Sequence, residues 1–189
     1  ADAVVLGLPR GGVPVAAALA ARIPAPLDVI VVRKLGAPGD PEYAVGAIGE
    51  GGARVLDADA MQAWGVTPAD LAAVEDRERR ELARRVGLFR RGRPHPDLTG
   101  REAVIVDDGI ATGSTAMAAS ASARAFGATR VTVVAPVASA SALRRIGTVA
   151  DRALALETPE PFGAVGRFYR EFPQTTDDEV VEILGRASP

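Results

Sequence analysis

Apolar residues fall along this chain in short runs. Residues 3–8, 27–32, 103–106 and 130–135 are such runs, rich in β-branched side chains, with only Asp28, Arg130 and Thr132 polar and 103–106 uninterrupted. That is the pattern of strands buried on both faces of a parallel sheet. Helical spacing lies between and after them, at 15–22, 116–126 and 139–146, followed by a strand-like 153–156 and a closing helix at 176–184. Strand and helix alternate, which predicts an α/β fold: a doubly wound, mostly parallel sheet flanked by helices. The middle of the chain breaks this rhythm. Residues 44–49 and 54–56 read as a β-hairpin. Thr67-Pro68-Ala69-Asp70 reads as the capped start of a helix reaching about Val86. Its acid-first pairs Glu75–Arg79, Asp76–Arg80 and Glu81–Arg85 describe a solvated face. Its apolar stripe, Leu71, Val74, Leu82 and Val86, is interrupted by Glu78. Hairpin and helix together form a small hood or insert, about residues 44–93, within one domain spanning 1–189.

Chemistry concentrates where strands should end. The run at 103–106 emerges into Asp107-Asp108, then Gly109-Ile110-Ala111-Thr112-Gly113-Ser114-Thr115, then a helix. A helix opening on Gly-Ser-Thr presents unpaired N–H groups and the positive end of its dipole, an anion site suited to phosphate. Carboxylates just upstream are acceptors for paired ribose hydroxyls, and their charge favours a cationic ribosyl centre. An ordinary strand–turn–helix with solvated aspartates, or a Mg²⁺ site on the acid pair, competes with this ribose-5-phosphate clamp. The first strand likewise runs into Pro9-Arg10-Gly11-Gly12, a second anion-binding corner unless its glycines serve only the turn. It matches neither G-x-G-x-x-G nor a P-loop. The strand at 27–32 ends in Arg33-Lys34, and ligands gather at the carboxyl ends of parallel strands, so Lys34 is expected in the crevice of Arg10 and Asp107. Residues 36–43 are rich in Gly and Pro and read as a loop, with Glu42 and Tyr43 as candidates for a role in it. Residues 90–96 read as a basic, Pro-rich connector holding the single histidine, His95.

Composition narrows the classes. With 189 residues, 48% hydrophobic and 24% charged, the chain suits one α/β domain with a sizeable core. No apolar stretch approaches the roughly 20 residues of a membrane span, and the start lacks a signal-peptide pattern. The first residue is not Met, which suggests a chain that begins inside a longer one. Zero cysteines exclude disulfides, thiolate catalysis and thiolate metal sites, and fit a cytoplasmic location. A net charge of −2 gives no bulk attraction to nucleic acid. Of the 22 basic residues only Lys34 is lysine, which points to a place where a compact ammonium matters.

The stretch Val104-Ile105-Val106-Asp107-Asp108-Gly109-Ile110-Ala111-Thr112-Gly113-Ser114-Thr115 resembles the phosphoribosyl-pyrophosphate (PRPP) motif of the type I phosphoribosyltransferases. The resemblance implies that Asp107 and Asp108 hold the ribose hydroxyls and that Ala111, Thr112, Gly113, Ser114 and Thr115 hold the 5′-phosphate. Arg10, Gly11 and Gly12 stand where the family has its pyrophosphate loop, and Arg33 and Lys34 where a basic residue often reaches the pyrophosphate. Arg10, Lys34, Asp107 and Asp108 are therefore the candidate catalytic residues. Residues 36–43 occupy the place of the mobile catalytic loop. Pro161-Phe162-Gly163-Ala164-Val165-Gly166 is similar to the segment of purine enzymes in which a ring stacks on the base, with one extra residue separating the Phe from the Gly. Phe162 is thus the candidate stacking residue. Phe162, Phe168, Tyr169 and Phe172 are equally readable as a small hydrophobic cluster. Glu171 is the nearest match to the acid that follows in those enzymes, and Mg²⁺ is expected to arrive bound through PRPP. Ala111 replaces the Asp of 6-oxopurine enzymes, which puts hypoxanthine- and guanine-type acceptors in doubt. Dimers are common in the family.

Two function classes follow. One is an enzyme moving ribose 5-phosphate from PRPP to a nitrogenous, purine-like base. The other is a non-catalytic sensor of PRPP or nucleotide on the same fold. Arg10, Lys34 and a closing loop favour the enzyme.

Overall fold

The computed structural model describes residues 2–187. Five strands form one parallel sheet: β1 (Ala3–Gly7), β2 (Leu27–Val29), β6 (Glu102–Val106), β7 (Arg130–Val137) and β8 (Arg152–Glu157), in the order β2-β1-β6-β7-β8. The strand that leads into the acid pair, β6, lies at the centre, which is why its apolar run is unbroken. Helices α4 (Ser114–Ala125) and α5 (Ala140–Ile146) cover one face, burying Leu6, Ile105 and Val133 against Ala119 and Ile146. On the other face Val5 and Val106 pack with Val13 of α1 (Gly12–Ala20) and Val180 of α6 (Asp177–Ala187). This is the expected doubly wound α/β architecture.

A second, antiparallel sheet is built from β3 (Val32–Ala37), β4 (Asp40–Gly49) and β5 (Arg54–Leu56). It extends both layers of the core: Val32 and Ala47 join the α4 side, Leu35 and Ile48 the side of α3 (Pro68–Arg90). The hairpin read at 44–56 is its β4–β5 half. Two expectations are corrected here. The apolar run 27–32 is two strands, because the chain leaves the parallel sheet at Ile30–Val31. The Val31 N–H donates to Oε1 of Glu50 at 2.7 Å, and Glu50 N–H returns to the Val31 carbonyl. Both strands are buried, so hydrophobicity carried no sign of the break. Residues 36–43 are likewise no extended loop. They complete β3, turn at Pro38-Gly39 and begin β4, with register shifts around Gly36 that accommodate a Gly-rich composition within a ladder. The side chain of Glu42 lies outside the described residues; Tyr43 is exposed, its ring 4.7 Å from that of Trp64.

The long helix α3 starts with the expected capping box between Thr67 and Asp70. It also carries the expected Glu75–Arg79 and Glu81–Arg85 pairs. Glu78 interrupts the apolar stripe because it faces inward to Arg33, 2.7 Å away. A short helix, α2 (Ala58–Ala63), follows β5 and had no clear sequence signal. At the far end of α3 the buried Arg90 binds Glu50, Asp28 and the Val29 carbonyl, tying helix, hood and β2 together. His95 is exposed and stacks on Phe126, with ring centroids 4.0 Å apart. Among the described residues no helix is long and apolar enough to cross a membrane.

Candidate active site

The site lies at the carboxyl ends of β1 and β6, the neighbours at the centre of the parallel sheet. Gly11 and Gly12 let the first loop rest directly on the acidic pair. A Cβ on Gly11 would stand 1.8 Å from Oδ2 of Asp108, and one on Gly12 would stand 2.5 Å from the Val106 carbonyl oxygen. A larger residue at Gly12 would push the two backbones apart, and one at Gly11 would displace the Asp108 carboxylate. Loop and acids, far apart in sequence, therefore share one place. Arg10 stands at the same corner, with Nη1 3.5 Å from Asp177 Oδ1 at the start of α6. Asp107 Oδ1 accepts from the Asp108 N–H at 3.0 Å, which fixes its rotamer.

Asp107 and Asp108 are half-buried side by side. Burial, followed by the charge of Asp108, holds the Asp107 carboxyl well above the ordinary Asp range. Burial also raises Asp108. The pair is an uncompensated acidic centre of the kind that gains from a hydroxyl donor or a cation.

Beyond it the chain turns through Gly109 to Gly113, which caps α4 with φ of 85° and contributes no side-chain hydrogen bond. Among the described residues no acceptor meets the N–H groups of Ala111, Thr112, Gly113 or Ser114. Ala111 and Thr112 are exposed, Ser114 is buried and Thr115 half-buried. The carbonyl sides of this turn are held from α5: Ser139 Oγ donates to the Ala111 carbonyl at 2.7 Å, and Arg145 Nη1 to that of Thr112 at 3.1 Å.

The other candidates separate. Arg33 and Lys34 sit inside β3 of the antiparallel sheet, not at the end of a core strand. By the two-residue period Arg33 faces α3, where it meets Glu78, and Lys34 shares the α4-facing side of Val32 and Ala47. Consecutive basic residues thus serve opposite faces. Phe162 packs on Phe168 with ring centroids 5.4 Å apart. The segment carrying them folds back over the strand ends: Val165 covers Gly109, and Tyr169 donates to the Asp108 carbonyl at 2.5 Å. Burial and the two aspartates raise the Tyr169 phenol. Between this segment, the Arg10 loop and α6 opens a cleft of about 740 Å³ lined by Arg10, Asp108, Tyr169, Glu171 and Phe172. The site contacts of Tyr169, Ser139 and Arg145 escaped sequence reasoning. Ser139 was detectable only as a helix cap and Tyr169 only as one of the aromatics clustered at 162–172, whereas Arg145 has no local signal.

A parallel α/β sheet that brings an acid pair, a glycine loop and a helix start with open amides to one edge is the frame of the candidate site. The chain belongs to the family described as the phosphoribosyl transferase domain, which matches residues 1–169. Two proteins of Mycobacterium tuberculosis, from strains CDC 1551 and H37Rv and each provisionally named phosphoribosyl transferase, are 55% identical over 184 residues. The match covers 97% of this chain and 42% of each relative, so the chain spans less than half of their length. The crystal structure of TT1426 from Thermus thermophilus superposes with a TM-score of 0.83 at 43% identity, covering 100% of this chain and 89% of that one.

Proposed function

We propose that this cleft binds PRPP and transfers its ribose 5-phosphate to a nitrogenous base, purine-like in character, releasing pyrophosphate. The observation that carries the reading is the Arg10-Gly11-Gly12 loop seated on Asp107-Asp108 beside the open amides of residues 111–114. In this reading the amides and hydroxyls of 111–115 take the 5′-phosphate, and the two carboxylates accept from the ribose 2′- and 3′-hydroxyls. The bond from ribose C1 to pyrophosphate breaks, and its electron pair leaves with the pyrophosphate. A base nitrogen forms the new bond to C1 and gives its proton to solvent. The acid pair stabilises the cationic ribosyl centre, and Arg10 the charge of the leaving group. Phe162 and Tyr169 stand on the segment that would wall the base.

No group of three or more His, Cys, Asp or Glu among the described residues forms a metal cage. Mg²⁺ would enter held by the oxygens of PRPP, with Glu171, which lines the same cleft, as the candidate carboxylate beside it. When bound, the ion would supply charge neutralisation on the pyrophosphate. The test is incubation with PRPP, Mg²⁺ and a panel of bases while following pyrophosphate. Release with at least one base is expected. Tight PRPP binding with no release from any base would instead identify a regulatory module.

A further inference from the structure

We infer that Ser139 and Arg145, which lie outside the strand–turn motif, are positioning residues that aim the phosphate turn. The inference rests on the proposed binding of a 5′-phosphate at residues 111–115. In a trans peptide the carbonyl of one residue and the N–H of the next lie in one plane and point in opposite directions. The only cis bonds among the described residues are Pro9–Arg10 and Glu160–Pro161, so the turn follows this rule. Ser139 Oγ holds the Ala111 carbonyl at 2.7 Å, and Arg145 Nη1 holds the Thr112 carbonyl at 3.1 Å. Each grip turns the opposite edge of its plane, the N–H of Thr112 and the N–H of Gly113, away from α5. These are two of the amides that no protein acceptor meets.

Both grips are themselves fixed. Ser139 Oγ accepts from the Ala142 N–H at 3.0 Å as the cap of α5. Arg145 Nη2 reaches Oδ2 of Asp57 at 2.6 Å, while Asp57 Oδ1 caps α2 through the Ala60 N–H at 3.0 Å. The guanidinium therefore spans from the hood to the turn. An exposed ion pair of this kind contributes little to stability. Its consequence lies in orientation, since an amide aimed in advance spares a bound phosphate the cost of ordering the turn.

The experiment titrates ribose 5-phosphate into the protein and follows backbone amide resonances and affinity. In the wild type, the Thr112 and Gly113 amide protons should move downfield on binding. Arg145→Met should weaken affinity on the order of tenfold, reduce the Gly113 shift, and leave the Thr115 response at the helix terminus. Ser139→Ala should do the same at Thr112. Ser139→Thr, which keeps the hydroxyl, should restore it even though both variants touch the α5 cap. Wild-type binding that Arg145→Met leaves unchanged, in affinity and in the Gly113 shift, overturns this inference alone. A wild-type protein that binds no ribose 5-phosphate overturns the proposed function, and this inference with it.

Discussion

Asp107 shows at the scale of one residue how a binding site works against the stability of the free protein. Its carboxyl is raised by burial and by Asp108, so the folded state holds a proton that the unfolded state releases. With more protons bound to the native state, stability falls as pH rises from about 4, the ordinary Asp value, towards the raised one. Asparagine mimics the protonated form and keeps the oxygen that accepts from the Asp108 N–H. Asp107→Asn should therefore raise the melting temperature of the free protein, by more at pH ~8.5 than at pH ~5. At pH ~8.5, where the carboxyl is ionised, the same change should weaken PRPP binding by roughly 1.5–3 kcal/mol in calorimetry, because a charged acceptor is lost. A variant destabilised at both pH values would contradict the acid-pair argument. The two loop glycines separate in a similar way. On Gly11 an added Cβ meets the Asp108 carboxylate, a side chain that can swing, so Gly11→Ala should cost ligand affinity and little stability. On Gly12 it meets the backbone of Val106 and Asp107, so Gly12→Ala should cost about 1–3 kcal/mol in chemical denaturation.

Among the elements, α3 matters through its two inward charges. Glu78 anchors Arg33 of β3, and Arg90 anchors Glu50 and Asp28. The Arg90 side chain is 5% exposed and that of Glu50 is 7%. Removing the cation strands buried acid, so Arg90→Met should destabilise by about 3–5 kcal/mol in urea unfolding. A loss below about 1 kcal/mol would mean that water enters freely between hood and sheet. Long helices with polar interruptions invite a surface reading, and α3 corrects it twice. The interruption at Glu78 marks a partner on another strand, which no helical period can reveal.

For the whole molecule, Arg10 separates catalysis from sensing. It stands on the loop seated against Asp108 and lines the cleft. If the protein turns over PRPP, Arg10→Ala should lower the turnover rate tenfold or more, with a much smaller effect on affinity for ribose 5-phosphate, measured by pyrophosphate release and calorimetry. A regulator would show an affinity change and no turnover with any acceptor.

The sequence alone determined the parallel sheet, its helices and the acid pair and turn of 107–115 that lead into α4. These depend on short-range facts: buried strands are unbroken apolar runs, and a helix opening on Gly-Ser-Thr leaves its amides bare. It also determined that Arg10-Gly11-Gly12 follows a core strand. Only the tertiary structure decided that this loop touches Asp108, because contact across parallel neighbours is set by strand order and register. Tertiary pairing also turned residues 36–43 from a loop into the tip of a hairpin and moved Arg33 and Lys34 out of the core sheet. Local composition is blind there, since a bulged ladder accepts Gly and Pro and two buried strands in succession look like one. Tyr169, Ser139 and Arg145 reach the site by long-range side-chain contacts made when the chain closes over its own strand ends. No pattern within a few residues of them encodes that approach.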